Sequence, residues 1–294
     1  MIYMKLRDWI DINKLSWDLL SKNKNAIELI KTCPDKINWA FLCENHNGIE
    51  ILLKNPEKIN WSYLSDNPNA IELLINNPEK INLNYFSRNI NAVELLKENQ
   101  DKIDWYWLSI NPNAIELLKS NKNKIDWNNL SRNENAIELL KANPDKINWY
   151  WLSKNSNAIE LLKENQDKID WNNLSSNTGA IELLRKNLDK INWFELSRNK
   201  NAIELLKENQ DMIKWYEFSR NENAIELLKE NQDKIVWSTL TLNPSIFTYD
   251  YERIKQNFQE LAEEIVAKAL HPKRIFRLIE EYGEDEIYNI YFDD

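Results

Sequence analysis

The sequence predicts an all-α fold, an α-solenoid built from short two-helix repeats, and three observations carry that prediction. Tryptophan stands at 17, 39, 61, 105, 127, 149, 171, 193, 215 and 237, always a multiple of 22 residues apart, with Leu83 in the one skipped register. No insertion or deletion interrupts the period, the mark of a stacked repeat array. Glycine is nearly absent (3 residues) while hydrophobic residues make up 43% and Trp appears 13 times, which excludes a disordered chain and a loop-rich enzyme scaffold alike.

With the Trp as position 1, the unit reads W-x-x-L-S-x-N-x-N-A-I-E-L-L-K-x-N-x-D-K-I-N/D. Position 7 is Asn from Asn23 to Asn243, and position 12 is Glu from Glu28 to Glu226. Trp and Leu at i and i+3 share one face of a short first helix, one to two turns long and either α or 3₁₀, with the preceding Asn or Asp as N-cap. Ser at position 5 suits close approach between units. In Asn135-Ala136-Ile137-Glu138-Leu139-Leu140-Lys141, Asn followed three residues later by Glu has the capping-box spacing, and the position-7 Asn is a rival cap. The apolar residues after it repeat with the spacing of a second helix. Position-17 Asn fits a left-handed C-cap, and Pro34, Pro56, Pro78 and Pro144 follow it as stops.

A single unit of this size cannot bury its Trp, Leu and Ile side chains, so neighbours must cover them. Ten to eleven layers ~8–10 Å apart imply a superhelical rod on the order of 100 Å long. Residues 1–16, with Trp9-Ile10-Asp11-Ile12, read as a half repeat capping the start; 17–243 is the repeat array. Residues 244–294 read as a C-terminal helical cap with an acidic tail: one amphipathic helix through Leu261 to Leu270, a second after His271-Pro272 ending near Gly283.

The unit LSxNPNAIELLKxNPDKINW, the opening LRDWIDINKLSWDLLS and the ending from NPSIFTYDYERIKQNFQ onward resemble tandem 22-residue repeat proteins. Those are uncharacterised proteins of giant nucleocytoplasmic DNA viruses, the mimivirus relatives and their kin. The resemblance covers nearly the whole chain. It implies an α-solenoid, a viral origin, and a location in the host cytoplasm or the virion; it carries over no activity. At the scale of one unit the sequence is also similar to leucine-rich repeat variant solenoids, which alternate α and 3₁₀ helices.

A net charge of -9 and a pI near 5.1 disfavour nucleic acid or an anionic membrane as main partner. No apolar run reaches the ~18 residues of a membrane span, and MIYMKLRDWIDINK lacks a secretory core. Two cysteines cannot staple a chain of this length and point to a reducing compartment. The Glu and Lys columns at positions 12 and 15 read as a solvated face, and the Asn columns as capping ladders. Cys33, Cys43 and His46 fall short of a zinc set and read as two buried thiols near a surface His. With no nucleophile–base pair and no Gly-rich phosphate loop, the chain is expected to have no catalytic residue, cofactor or metal.

The informative positions are those that vary. Positions 2 and 3 carry surplus aromatics, and Tyr63, Tyr85, Tyr106, Trp107, Tyr150 and Trp151 are the candidate partner-binding row, since Tyr and Trp anchor interfaces. The competing reading is that position 3 fills space between helices. Residues 105–148 and 149–192 look like a 44-residue duplication, so part of the pattern is ancestry. Position 6 carries Lys22, Arg88, Arg132, Lys154, Arg198 and Arg220, a basic stripe broken by Glu44, Asp66, Ile110 and Ser176. The expectation is a non-enzymatic scaffold for a protein partner along its groove. A self-associating structural block is the alternative, and single-stranded nucleic acid the least favoured.

Overall fold

The structure, a computed structural model, describes residues 3–284 and residue 287. It separates into two units, residues 6–247 and residues 1–5 with 248–294.

In the first unit each of the first ten repeats contributes at least three helical pieces. A Trp helix of four to six residues runs from Trp17–Lys22 in the first repeat to Trp237–Leu240 in the last. A second helix runs from Ile27–Lys31 to Ile225–Glu230. A 3₁₀ turn then covers positions 18–20, as at Pro34–Lys36 and Gln232–Lys234. The Trp helix is therefore α, and 3₁₀ geometry sits in the position 18–20 turn and, in four repeats, also in the turn leading into the second helix, as at Pro68–Ala70 and Ser156–Ala158. Position-22 Asn or Asp caps the Trp helix as expected, accepting from the position-3 N–H at 3.2 Å in Asn38–Phe41. Of the two rival caps before the second helix, position-7 Asn is the one used, accepting from the position-9 N–H, as Asn155 Oδ1 from Asn157 N at 3.0 Å. Position-9 Asn points its amide at the preceding unit (Asn135 Nδ2 to Pro112 O, 3.0 Å) instead of closing a box with Glu138. Position-17 Asn is not left-handed: Asn143 has φ -138° and donates back to Leu139 O at 2.8 Å.

The buried core is formed by position-4 Leu, position-10 Ala, position-14 Leu and position-21 Ile, such as Leu130, Ala136, Leu140 and Ile147. The tryptophans expected to be hidden are only half-buried. Each of seven Trp rings instead carries the ammonium of its own unit's position-20 Lys, 4.4 Å away for Lys190 over Trp171.

Two buried side chains per repeat hold the array. Position-5 Ser accepts the N–H of position 22, as Asn148 N to Ser131 Oγ at 3.0 Å. Position-7 Asn donates two hydrogen bonds into the preceding unit and accepts one in its own: Asn133 Nδ2 to Ser109 O (3.1 Å) and Asn111 O (2.8 Å), and Asn135 N to Asn133 Oδ1 (3.0 Å). These pairs satisfy buried backbone carbonyls that no water can reach.

The array is not a rod. Asn23, in the first repeat, donates to Thr241 O (2.8 Å) and Asn243 O (3.1 Å) of the last, the same two bonds every other position-7 Asn makes with its predecessor. Asn25 Nδ2 reaches Pro244 O at 2.9 Å, Ser16 N donates to Thr241 Oγ1 at 3.1 Å, and Lys14 lies 4.8 Å over the Trp237 ring. Residues 11–16 thus occupy positions 17–22 of the eleventh repeat, with Ile12–Lys14 as its 3₁₀ turn and Leu15 as its buried position-21 side chain. Arg7 N to Ile246 O (2.9 Å) continues the seam. Eleven repeats close into a ring whose last member is shared between the two ends. The rod expected from stacking alone is overturned because each layer also rotates, and the rotation returns the array to its start. Successive Trp helices pack more closely on one another than successive second helices do, so the Trp helices form the inner wall.

β1 (Met4–Leu6) and β2 (Phe247–Tyr249), where the chain passes between the units, pair as a two-stranded ribbon. Asp250 caps the helix Tyr251–Ala269 and His271 caps Pro272–Tyr282. Neither helix buries a side chain. Apart from Glu284 and Ile287, the expected acidic tail lies outside the described residues.

Candidate functional site: the bore of the ring

Closure turns the concave side into a bore. One cavity of about 470 Å³ is lined from repeats 1, 2, 10 and 11, including Lys22, Phe41, Glu44, His46 and Arg220. A second, of about 310 Å³, is lined from repeats 7 to 11 and shares Arg220 and Pro244 with the first. Residues drawn from four or five consecutive repeats meet only on the inside of a ring. Positions 3, 6 and 8 therefore face the bore, while Glu at position 12 faces outward and pairs with Lys at position 15, as Glu138–Lys141 (3.1 Å). Eleven inner helices ~8–10 Å apart leave, after the ~10–12 Å thickness of a helix with its side chains, an opening on the order of 20 Å.

The six candidate aromatics fall on two rows. Tyr63, Tyr85, Trp107 and Trp151 at position 3 are half-buried on the bore wall. Tyr63 and Tyr85 lie 6.3 Å apart between ring centres, and Trp107 follows on the next repeat. Asn129 separates Trp107 from Trp151, donating to Tyr106 O at 2.9 Å. Tyr106 and Tyr150, at position 2, are 52% exposed and meet the edges of Trp107 and Trp151 at 5.1 and 4.9 Å. Asn173 repeats the contact with Tyr150 O at 3.0 Å, so in both halves of the 44-residue duplication a position-3 Asn amide ties its repeat to the carbonyl of the exposed Tyr before it.

Position 6 supplies most of the bore's charge. Arg88 stacks between Tyr85 (5.5 Å) and Trp107 (5.2 Å), its fork held by Asp66 (Nε to Oδ1, 2.9 Å). Arg132 covers Trp151 at 4.5 Å. Lys22 is ion-paired to Glu44. On the other side of the bore, Arg198 and Arg220 share the carboxylate of buried Glu217, at 3.7 and 3.8 Å. Arg132 and Lys154 have no carboxylate partner among the described residues. Burial, then the nearby Arg198 and Arg132, hold the Lys154 ammonium below its usual range.

No family model matches this chain, and neither a curated protein nor a solved structure does. The site must be read from its own geometry. Among the described residues no group of three or more His, Cys, Asp or Glu is placed to hold a metal ion. Cys43 is buried, takes the place of Ser, and accepts Asn60 N at 3.3 Å; its burial pushes the thiol up. Cys33, expected to be buried, is only half-buried because position 17 lies at the outer edge of the 3₁₀ turn. Of the position-8 residues of the bore, Lys24, Lys200 and Glu222 were not singled out from the sequence, and His46 only as a surface His near two thiols. Their signal was present: position 8 varies as freely as positions 2 and 3.

Proposed function

We propose that the ring is a non-enzymatic scaffold that holds a segment of a partner protein in its bore. One observation carries this reading. The positions that build the ring keep one residue type with few exceptions, such as Leu83, Phe86, Phe218, Cys43, Thr241 and Gly48, while positions 3, 6 and 8, which face the bore, change their chemistry along the array. An opening on the order of 20 Å admits an extended chain or a helix of ~10–12 Å diameter. The test is affinity capture by the wild-type ring against the Trp107→Ala, Trp151→Ala double variant, with the outward Glu138→Ala as control. Loss of the captured protein with only the bore variant supports the reading. Equal capture by all three, or collapse of melting in the bore variant, overturns the assignment of these two residues.

The alternative, a structural block that self-associates, gains no support from end-to-end stacking, since the end repeats bind each other. A concentration-independent monomer in sedimentation favours the scaffold, and a discrete oligomer the block. Nucleic acid is disfavoured because guanidinium groups occupy faces of Trp107 and Trp151 that a base would stack on. The viral setting, host cytoplasm or virion, is supported only by the resemblance of the repeats. No described helix is long and apolar enough to cross a membrane.

A further inference from the structure

We propose that the bore wall formed by Lys154, Arg198, Lys200 and Arg220 is a binding site for a small phosphate-bearing anion. The inference is independent of the scaffold reading. These four cations line the cavity of about 310 Å³ together with Thr178, and one carboxylate, Glu222, lies among them. Lys200 takes that carboxylate at 3.3 Å. The other three cations are left with donors to spare: Lys154, Arg198 and Arg220 make no side-chain hydrogen bond to any described residue.

The arginine at the other side of the bore shows what a purely structural arrangement looks like. Asp66 accepts from both arms of Arg88 and leaves its fork engaged. Glu195 and Glu217 instead stand 3.7–3.8 Å from Arg198 and Arg220, outside hydrogen-bond range. They fix where the guanidinium groups sit by charge and leave the N–H groups free. Glu217 is 4% exposed, and its Oε2 has no hydrogen-bond partner. Such an arrangement costs stability, since a buried oxygen without a donor is unfavourable, and it holds two forks open toward one cavity. Lys154 is desolvated and crowded by Arg198 and Arg132, and Glu195, which is near enough to act on it, makes no ion pair with it.

Three cations from repeats 7, 9 and 10 converge on one space. A carboxylate, with two oxygens in one plane, can serve one fork well. A phosphate presents three or more oxygens in different directions and close to two negative charges at neutral pH, which matches several donors at once.

Calorimetric titration of the full chain with inorganic pyrophosphate, and separately with O-phosphoserine, at about 0.15 M salt tests the site. Saturable binding of one anion per ring is expected, weakened at least about tenfold in the Arg198→Gln, Arg220→Gln double variant. Arg88→Gln should leave the affinity within about twofold of wild type. Tighter pyrophosphate binding marks a free polyphosphate as the ligand, and equal or tighter phosphoserine binding a phosphate monoester. If the double variant fails to fold, Lys154→Gln replaces it with the same expectation. Absence of saturation, or an equal loss in Arg88→Gln, overturns the site.

Discussion

Asn23 distinguishes a ring from an open array more sharply than any other residue. In an open solenoid the first repeat has no predecessor, and the Asn23 amide would face water. In the ring it is 2% exposed, donates to Thr241 O and Asn243 O at 2.8 and 3.1 Å, and accepts from Asn25 N at 3.0 Å. Asn133, in the middle of the array, makes the same three bonds at 3.1, 2.8 and 3.0 Å. At about 0.5–1.5 kcal/mol net per bond, replacing either Asn by Ala should cost about 2–4 kcal/mol. For a unit of this size that is a fall in melting temperature of roughly 4–16 °C. The assay is thermal and guanidinium unfolding of Asn23→Ala and Asn133→Ala side by side, followed by circular dichroism. Equal losses are expected. A loss in Asn133→Ala with less than about 1 kcal/mol in Asn23→Ala would show that the two ends do not meet.

Leu83 stands in the one Trp register without Trp, beside an apolar crevice of about 200 Å³ lined by Ile75, Ile81, Phe86 and Lys102. Leu83→Trp should fill it and gain a Lys102 contact, raising stability by about 0.5–2 kcal/mol in denaturant titration; an unchanged or lower midpoint would refute the fit. A thiol reagent should modify half-buried Cys33 in the native protein and reach Cys43 only on unfolding. Its thiol is pushed up by burial, so at neutral pH it stays protonated and unreactive. Two thiols reacting at one fast rate would contradict the burial of Cys43.

The repeat fold was legible because a period of 22 residues states which side chains are equivalent, and equivalence settles the stacking. Closure was not, because the turn from one layer to the next arises from small differences in helix spacing that no single residue type encodes. A trace of it was nevertheless in the sequence. The last repeat loses its pattern after Asn243-Pro244-Ser245-Ile246, and the missing 3₁₀ turn with its Lys and apolar residue is present at the other end as Ile12-Asn13-Lys14-Leu15. The role of position-7 Asn was half legible: its carbonyl oxygen caps locally, as the spacing indicated, while its amide reaches 22 residues back. The aromatic row was found but not its setting. Position 3 looked like a groove lining or a filler, and on the inner wall it is both, half-buried and stacked with arginines supplied by position 6.

Sharing the eleventh repeat between the two ends has a consequence for how such a gene can change. An open array grows or shrinks by whole modules with little penalty, since each addition only extends one terminus. Here each layer must turn by about 33° for the circle to meet. A twelfth copy would force every junction to about 30° at once, or leave the ends apart with the Asn23 amide facing solvent. Module number is therefore held by angle, and divergence in this protein takes the form of substitutions at places that the circle does not need.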